Sequence, residues 1–404
     1  MSGNAFTTTV LASRASSSSS QISSTAPLSL SSTFMAEADW SQLPKDILLL
    51  ISQKLNNEFY QLRFRSVCSP WRSSIPKYHL NNLPSKFPDP SKTSRTFPLS
   101  KRSIFLITPP PNQQTLNPWL IKIGPDSHHQ THLWHPLSRD TQFPLYYPIL
   151  MDFNQLSVRD LGREFVIGNS LYTGKVVVCD TWHNGIDRSS LFLTILHVTG
   201  KLAIFRSGDE RWTKIPSISG FPYTDVCVFN GQPMAVDISG QIVVVRPDLS
   251  LDLVVKHGYG GNKKVLVESD GELLLVCGHL SYAWVLDADG EGIYEAEEAV
   301  QFDVFRLDEK EKKWLHVKNL GNRVLFLGVD CAFSASFIGN GNCVIFSDAV
   351  FRSDHYTELG FSVFHLDGRR TSPLSDFPCY SNLFWPAPEW AELRVDNSRV
   401  CALD

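Results

Sequence analysis

The sequence lacks a basic excess, paired cysteines and a long apolar run. Its 404 residues carry 37 Lys and Arg against 41 Asp and Glu, and no long basic run, which argues against electrostatic binding to nucleic acid. The 8 cysteines are scattered and never form Cys-x-x-Cys, a pattern that favours free buried thiols over disulfides or a zinc site. No apolar run approaches the length of a membrane span. We therefore expect no nucleic-acid, metal or membrane partner.

Patterns typical of an enzyme active site are also missing. The sequence contains no Gly-x-Ser-x-Gly elbow, no His-Glu-x-x-His and no paired-carboxylate motif, and these are the arrangements that activate a nucleophile, a metal-bound water or a glycosidic bond. We expect a protein without catalytic residues or cofactor.

One acidic segment nearly satisfies the spacing of a calcium-binding loop. Acidic side chains occupy its first, third, fifth and twelfth places, which are Asp287, Asp289, Glu291 and Glu298. The preceding residues 280–286 have the character of a strand, whereas this kind of calcium loop lies between two helices. A solvated acidic loop between strands is the expectation, and a calcium site is the alternative.

Four histidines cluster around Trp134, and histidines three or four apart can share a helix face and bind metal. They are His128, His129, His132 and His135. Because Pro125 and Pro136 bracket the run, a stable helix is not expected there. We expect a loop or the edge of a sheet, with a metal site as the alternative.

The glycine-rich stretch Gly258-Tyr-Gly-Gly-Asn-Lys-Lys264 resembles a phosphate-binding loop only superficially. A working loop of that kind precedes a helix, whose N-terminus helps to hold the phosphate. Here the next residues, 265–268, indicate a strand. We interpret the stretch as a hairpin turn, with nucleotide binding as the alternative.

Residues 1–34 differ in composition from the rest of the chain. Half of them are Ser or Thr, none is acidic, and Arg14 is their one basic residue. Such a segment cannot supply an apolar core, so we expect residues 1–38 to be a disordered extension. A Ser-rich, acid-poor N-terminus is also typical of a plastid transit peptide, although these usually carry more Arg.

A short helical pattern with excess apolar surface follows, from Asp39 to Arg72. Pro44 suits the first turn of a helix and Ser41 is placed to cap it. Apolar residues recur at helical spacing from Ile47 to Leu55, a second pattern runs through Phe59, Leu62 and Val67, and Ser69-Pro70 opens a third helix. Three helices in so few residues are too small for a self-sufficient core. The segment therefore needs a partner, unless it is a helical hairpin of the following domain.

At these residues the chain resembles the F-box family. Leu43-Pro44 matches the opening Leu-Pro of an F-box, and Val67-Cys68 with Trp71-Arg72 matches its closing Val-Cys-x-x-Trp-Arg. The resemblance implies docking on a Skp-type adaptor and, through it, on a cullin of a ubiquitin ligase. The residues expected to form or support the adaptor-binding surface are Leu43, Pro44, Ile47, Ile51, Leu55, Val67 and Trp71.

From Ser103 onward the sequence consists of short apolar runs separated by Gly, Asp and Asn turns, without helical periodicity. The runs with this character are 202–205, 226–229, 242–245, 273–276, 324–327 and 344–346. Regular short strands with turn residues between them predict a sandwich, a barrel or a propeller.

Internal repetition favours a propeller. An apolar strand, a charged turn and a second strand occur at 198–216, 302–317 and 361–370, and in the first two copies Trp212 or Trp314 follows the turn. Gly200 and Gly240 are forty residues apart, which is about one blade. At ~40–50 residues per blade, the remaining ~300 residues predict six or seven blades.

The C-terminal stretch adds a second resemblance. Phe384-Trp-Pro-Ala-Pro388, together with Gly341-Asn-Cys-Val-Ile-Phe-Ser-Asp348 and Phe229-Asn-Gly-Gln-Pro-Met-Ala-Val236, is similar to sequences of plant F-box proteins with a C-terminal β-rich domain. This group includes the KIB-type kinase-binding proteins. The resemblance implies a receptor for target proteins but does not identify the target.

The sequence therefore predicts a mainly β protein with a small α domain. The expected parts are the extension 1–38, a three-helix F-box at 39–80, a linker at 81–102 and a six- or seven-bladed propeller at 103–404. The predicted function is target recognition in a Skp–cullin–F-box ubiquitin ligase, in the nucleus or cytoplasm, with target-binding residues unknown. The alternative is a propeller regulator outside a ligase, for example a kinase-binding or plastid protein.

Overall fold

The structure is a computed structural model. It describes residues 39–55, 60, 63–65, 67–74, 84, 86–89, 95–109, 116–126, 131–143, 156–168, 173–179, 190–196, 199–256, 258–286, 292–351, 360–388 and 390. The predicted extension at 1–38 lies outside these residues, as do Phe59 and Leu62. The helices before residue 75 belong to one compact unit, and the strands from residue 86 onward belong to a second.

The first unit has a small core between two helices. Helix α1 spans Lys45–Lys54 and helix α2 spans Ser69–Ser74, with a 3₁₀ turn at Trp40–Gln42 and helical residues at 60 and 63–65 between them. Leu48 and Phe64 are buried in this core. Apolar side chains from both helices pack around them, which joins the helices into one unit.

The start of α1 differs by one residue from the sequence prediction. Pro44 is the N-cap of α1 rather than its first helical residue, and no side chain caps the helix. Ser41 instead belongs to the 3₁₀ turn, where its backbone N–H donates to Asp39 Oδ1 at 3.0 Å. Two hydrogen bonds from Ser41 lower the pKa of Asp39, because they stabilise its charged form.

The second unit is built from 22 strands among the described residues. Those of the first sheet are β1 (Lys86–Pro88), β2 (Thr96–Thr108), β3 (Trp119–Pro125), β4 (Thr131–Trp134), β5 (Ser157–Ile167), β6 (Thr173–Cys179), β7 (Leu191–Leu196), β8 (Lys201–Arg206) and β9 (Thr213–Lys214). The second sheet comprises β10 (Tyr223–Phe229), β11 (Gln232–Asp237), β12 (Ile242–Val245) and β13 (Leu251–Val255). The third comprises β14 (Lys263–Ser269), β15 (Glu272–Leu286), β16 (Gly292–Asp308) and β17 (Lys313–Val317).

The fourth sheet and a short C-terminal helix complete the unit. This sheet comprises β18 (Arg323–Leu327), β19 (Ala332–Ser336), β20 (Cys343–Ser347), β21 (Phe361–His365) and β22 (Arg370–Pro373), and helix α3 spans Pro378–Ser381. The pairing of β18 with β20 is parallel, and the other pairings are antiparallel. All six apolar runs that predicted strands lie within strands of the structure.

The sheet count differs from the predicted six or seven blades. The described strands form four sheets of nine, four, four and five strands. The nine-stranded sheet is continuous at β5 and β6 through one register pair, Phe165 with Val176. The third sheet alone uses more residues than the estimate allowed for one blade, because β15 and β16 are 15 and 17 residues long.

The predicted linker at 81–102 is shorter than expected. Strand β1 lies inside it and pairs with the beginning of β2, where Phe87 is opposite Phe97. Phe87 is fully buried against Phe192 and Phe205. An apolar anchor of this kind fixes the segment to the strand-rich unit.

Apolar clusters pack each sheet against the next. One cluster joins β7 and β8 to the second sheet, and two more join the second sheet to the third and the third to the fourth. A further cluster brings Leu120 of the first sheet together with Phe326 of the fourth. The contacts between sheets therefore return from the last sheet to the first.

The two repeat tryptophans fasten neighbouring parts of the unit. Trp314 lies on β17 and donates from Nε1 to Gly240 O at 3.1 Å, in the second sheet. Trp212, just before β9, donates to Pro88 O at 2.9 Å. Both indoles are buried, so their N–H groups need these acceptors. Each tryptophan thus follows its charged turn, as the repeat indicates, but Trp314 is the second residue of β17 whereas Trp212 immediately precedes β9.

The C-terminal stretch packs on the first sheet. Trp119 Nε1 donates to Phe384 O at 2.6 Å, and Leu120 N donates to Leu383 O at 2.6 Å. Trp390 Nε1 donates to Asn117 O at 3.1 Å. These bonds hold the aromatic-rich C-terminal motif against the core that the first and fourth sheets form.

Candidate protein-interaction site

Helix α1 has two apolar faces. Leu48 points into the core, and Ser52 one turn later is buried beside it. Ile47, Leu50 and Ile51 are exposed, and their spacing of three and four residues places them on one side of the helix. Exposed aliphatic side chains in a row are a typical protein-binding surface.

The residues predicted for adaptor binding divide into two groups. Pro44, Ile47, Ile51 and Val67 are exposed. The remaining three are partly buried and pack against the core formed by Leu48 and Phe64; they are Leu43, Leu55 and Trp71. The exposed group can contact a partner directly, whereas the half-buried group supports the surface from beneath.

Trp71 connects the two ends of the helical unit. Its ring lies 4.5 Å from that of Phe64, and its Nε1 donates to Trp40 O at 2.9 Å. Arg65 and Arg72 add a reciprocal pair of side-chain to backbone hydrogen bonds of 3.1 and 3.2 Å. The closing Trp-Arg of the motif therefore holds the start of the unit against its end.

Two exposed residues of this surface were not predicted. Leu50 and Trp40 are both more exposed than Ile47. Leu50 follows Ile47 by three residues and precedes Ile51, so an analysis of the second helix face would have found it. Trp40 lies before the helix, where periodicity gives no information.

The strand-rich unit contains a buried cluster of charges that the sequence did not indicate. Glu164 on β5 is 2.9 Å from Lys122 Nζ on β3 and 3.4 Å from Arg102 Nη1 on β2, and all three side chains are buried. Burial raises the pKa of Glu164 and the two cations oppose that shift. Each of these groups depends on the others, because an unpaired buried charge is costly.

A second ion pair, between the half-buried Lys175 and the buried Asp225, joins strands of the first and second sheets. Lys175 Nζ on β6 lies 3.1 Å from both carboxylate oxygens of Asp225 on β10, and Leu266 N on β14 donates to Asp225 Oδ2 at 2.7 Å. Charged and polar groups paired in this way fix the relative placement of the strands. We infer a structural role for Lys175 and Asp225, since their contacts hold these strands in place.

The described residues of the histidine run and of the acidic segment do not form a metal-binding group. His132 lies on β4 and its Nε2 is 3.0 Å from Asp126 Oδ2, while His135 lies between the rings of Phe361 and Phe384. His128 and His129 lie outside the described residues, as do 287–291 of the acidic loop. Among the described residues no group of three or more His, Cys, Asp or Glu could hold a metal ion.

The flanks of the acidic loop and of the glycine-rich stretch are strands. Residues 280–286 before the acidic segment lie on β15, as the strand-like flank predicted, whereas Glu298 at the end of the segment lies on β16 and not in a loop. The glycine-rich stretch precedes β14, but it connects the second sheet to the third, so its interpretation as a hairpin turn was wrong. Close backbone packing in this connection excludes a side chain at Gly258, since a Cβ there would lie 1.8 Å from Ser239 O.

The described cysteines are free thiols, and five of the seven are buried. Burial raises the pKa of Cys227, Cys331 and Cys343 to about 12. A thiol that stays protonated is a poor nucleophile. In the described part of the chain, no helix is long and apolar enough to cross a membrane.

Comparison with known proteins identifies the family of the strand-rich unit. Residues 94–365, two thirds of the chain, match the KIB1-4 beta-propeller. The chain belongs to the KIB1-4 β-propeller family. This confirms the resemblance carried by the C-terminal motif, and it begins eight residues later than β1 of the structure.

Relatives that match most of the chain are named as F-box proteins. F-box protein SKIP23 of Arabidopsis thaliana is 39% identical, with 87% of this chain and 95% of that protein covered. F-box protein At2g17036 of the same plant is 34% identical, with 87% and 94% covered. Both alignments extend over nearly the full length of these F-box proteins.

Proposed function

We propose that this KIB1-4 family member is the target-recognition subunit of a Skp–cullin–F-box ubiquitin ligase. Its helical unit would dock on the Skp adaptor, while the strand-rich unit would hold the target protein. Ubiquitin transfer would be carried out by other subunits, and this chain would raise the effective concentration of target lysines near them. The relatives named as F-box proteins support this proposal.

The observation that carries the proposal is the exposed row on α1. Ile47, Leu50 and Ile51 cannot be buried by the small core beneath them, because Leu48 and Phe64 already fill it. Binding energy at protein interfaces is concentrated in a few such anchors, each contributing about 2 kcal/mol or more when truncated. Covering this row with an adaptor would remove it from water.

The test is adaptor capture by the double variant Ile47→Ala/Ile51→Ala in the full chain. Both side chains are exposed, so the helical unit should remain folded, whereas truncating the half-buried Leu43 would also weaken its core. We expect capture to fall by about thirtyfold or more. Lys54→Ala, at an exposed position of the same helix, is the matched control. Unchanged capture by the double variant, with the control also unchanged, would refute the assignment.

We also propose that the strands of the four sheets form the blades of a closed ring. The nine-stranded sheet would divide at its single β5–β6 register pair, which gives five blades. The cluster that joins Leu120 to Phe326 supports closure between the last blade and the first. An experimental structure in which these two side chains are separated by solvent would contradict the ring.

The proposed location is the nucleus or the cytoplasm, where a Skp adaptor is present. The F-box segment supports this location independently of residues 1–34. Expressing the full chain with a C-terminal fluorescent tag tests it. A signal confined to plastids would contradict this location and favour a role outside the ligase.

A further inference from the structure

Four large apolar side chains are exposed on loops at one end of the strand-rich unit. Ile218 and Phe221 are 54% and 55% exposed and lie between β9 and β10; Ile238 is 38% exposed and lies between β11 and β12. Tyr259 is 46% exposed and lies between β13 and β14. Since successive antiparallel strands reverse direction, all three loops emerge at the same end of the strands. We call these four side chains the platform.

The three loops are in direct contact, so the platform is one surface. Ile238 N donates to Pro222 O at 3.0 Å, which places the β11–β12 turn beside the segment that bears Phe221. A Cβ on Gly240 would lie 2.7 Å from Gly258 Cα. The same turn therefore also touches the connection that bears Tyr259, and contiguous apolar patches of this kind mark interaction sites.

A buried carboxylate holds two of these loops rigid. Asp237 Oδ1 accepts from Ser239 N at 2.9 Å and from Gln241 N at 3.0 Å, and its Oδ2 accepts a hydrogen bond from Ser219 Oγ. Ser219 Oγ in turn accepts from Phe221 N at 3.0 Å. Because the loops are already ordered, a partner would lose little affinity in ordering them.

The third loop is fixed by an aromatic stack and a buried lysine. The ring of Tyr259 lies flat on that of Phe305, with 4.1 Å between centroids and 8° between planes. Lys264 Nζ donates to Gly260 O at 3.0 Å and to Gly261 O at 3.3 Å. Tyr259 consequently presents a broad, fixed face, as aromatic residues at binding hot spots do.

The exposed charges on the strand ends that bear the platform are positive. In the described segments at this end of β8 to β14, the charged side chains other than the buried Asp225 and Asp237 are lysines: Lys201, Lys214, Lys256, Lys263 and Lys264. The first three are exposed, Lys263 is half-buried, and the carboxylate of Asp237 is buried. A basic rim around an apolar surface favours a partner segment that carries acidic residues beside its apolar anchors.

We propose that the platform binds an acidic segment of the target protein that carries aromatic or aliphatic anchors. This assignment rests on the proposed function, because it places the target-recognition site on the strand-rich unit. A lipid surface is a poorer match, since Tyr259 lies flat on the protein instead of projecting from it. The flat, fixed loops fit a protein segment laid across them.

The test measures binding of synthetic peptides to the full chain by fluorescence anisotropy. One panel of peptides carries two Phe and two Leu spaced among Glu and Ser, and a matched panel has Lys in place of Glu. We expect the acidic panel to contain binders and the basic panel to contain none.

Variants of the protein then test the platform itself. Phe221→Ser/Ile238→Ser should lower the affinity for the acidic peptides by about tenfold or more. Lys256→Glu should also lower this affinity and should make it less dependent on salt.

The matched control is Leu253→Ser, an exposed apolar residue on the edge strand β13 that lines a separate cleft. It should leave peptide affinity unchanged. Melting temperatures and near-ultraviolet circular dichroism should be the same for all variants, since the substituted side chains are exposed. Equal loss in Leu253→Ser, no loss in Phe221→Ser/Ile238→Ser, or preference for the basic panel would overturn the proposal.

The same variants distinguish a protein segment from other occupants of the platform. Binding to phosphatidylserine vesicles that is abolished by Phe221→Ser/Ile238→Ser, without acidic peptide binding, would assign the platform to a membrane and overturn the proposal. Dimerisation of the wild-type chain that is lost in the same variant would assign it to a second copy and overturn it too. Adaptor capture is a separate measurement that tests the proposed function. Phe221→Ser/Ile238→Ser should still capture the adaptor, whereas Ile47→Ala/Ile51→Ala should fail to capture it and should still bind the acidic peptides.

Discussion

Acid should destabilise the strand-rich unit through one buried histidine. His135 lies between Phe361 and Phe384, with ring centroids 4.0 and 4.8 Å away, and its Nδ1 accepts a hydrogen bond from Leu137 N at 3.2 Å. An imidazolium has no acceptor nitrogen, so protonation would break that bond. Burial, together with the nearby charge of Lys122, lowers the pKa of His135 from 6.5 to about 3.

The sign and size of the effect follow from linkage. The unfolded chain binds the proton more tightly than the folded chain, so stability is complete above pH 6.5 and is lost as the pH falls from there toward about 3. Between pH 8 and pH 5 the loss due to this one group is about 2 kcal/mol. Acid unfolding should therefore begin while most carboxylates are still ionised.

The measurement compares urea unfolding of the wild-type chain and His135→Phe at pH 8 and pH 5. Phenylalanine keeps the aromatic packing but cannot titrate, and it leaves Leu137 N without its acceptor at both pH values, which costs about 1–3 kcal/mol throughout. The variant should thus be less stable at pH 8 and should lose about 2 kcal/mol less than the wild type on going to pH 5. An equal pH-dependent loss in the two proteins would refute the reasoning.

Three further outcomes are expected. Glu164→Gln should lower the free energy of unfolding by about 3 kcal/mol, because Lys122 then stays buried without its carboxylate, and adding Lys122→Met should recover part of the loss in a double-mutant cycle. Trp314→Phe should cost about 1–3 kcal/mol in chemical denaturation, since Gly240 O loses its buried donor. A reporter fused to residues 1–34 should stay outside plastids in fluorescence microscopy.

The strands were predictable because their apolar runs are local. Residues 242–245 are Ile followed by three Val, and all four are buried in β12. A strand covered on both faces requires such a run, and no other element of that length does. The same holds for the C-terminal motif and the F-box segment, whose family resemblance depends on residues close together in sequence.

The buried charges could not be predicted in the same way. Glu164 and Lys122 are 42 residues apart and lie on strands that are not paired with each other. Before the sheets are known, each looks like an ordinary surface charge, because buried charges are rare unless paired. Helix α1 presented the opposite problem: both of its faces are apolar, so periodicity could not separate the core residue Leu48 from the exposed Ile47.

The third repeat shows how one structural role can change its chemistry. In the second copy Trp314 pairs with Leu307. Continuing the β21–β22 register one residue beyond His365 and Arg370 places Arg369 opposite Leu366, the residue that aligns with Leu307. Arg369 Nη1 lies 2.9 Å from Asp303 Oδ1, and its Nη2 donates to Gln301 Oε1 at 3.3 Å, both on β16 of the preceding sheet. A guanidinium can thus fasten one sheet to its neighbour where the second copy uses an indole N–H. The repeat predicts the position of that contact. The type of residue that makes it depends on the acceptors of the neighbouring strand, and those acceptors lie outside the repeat unit.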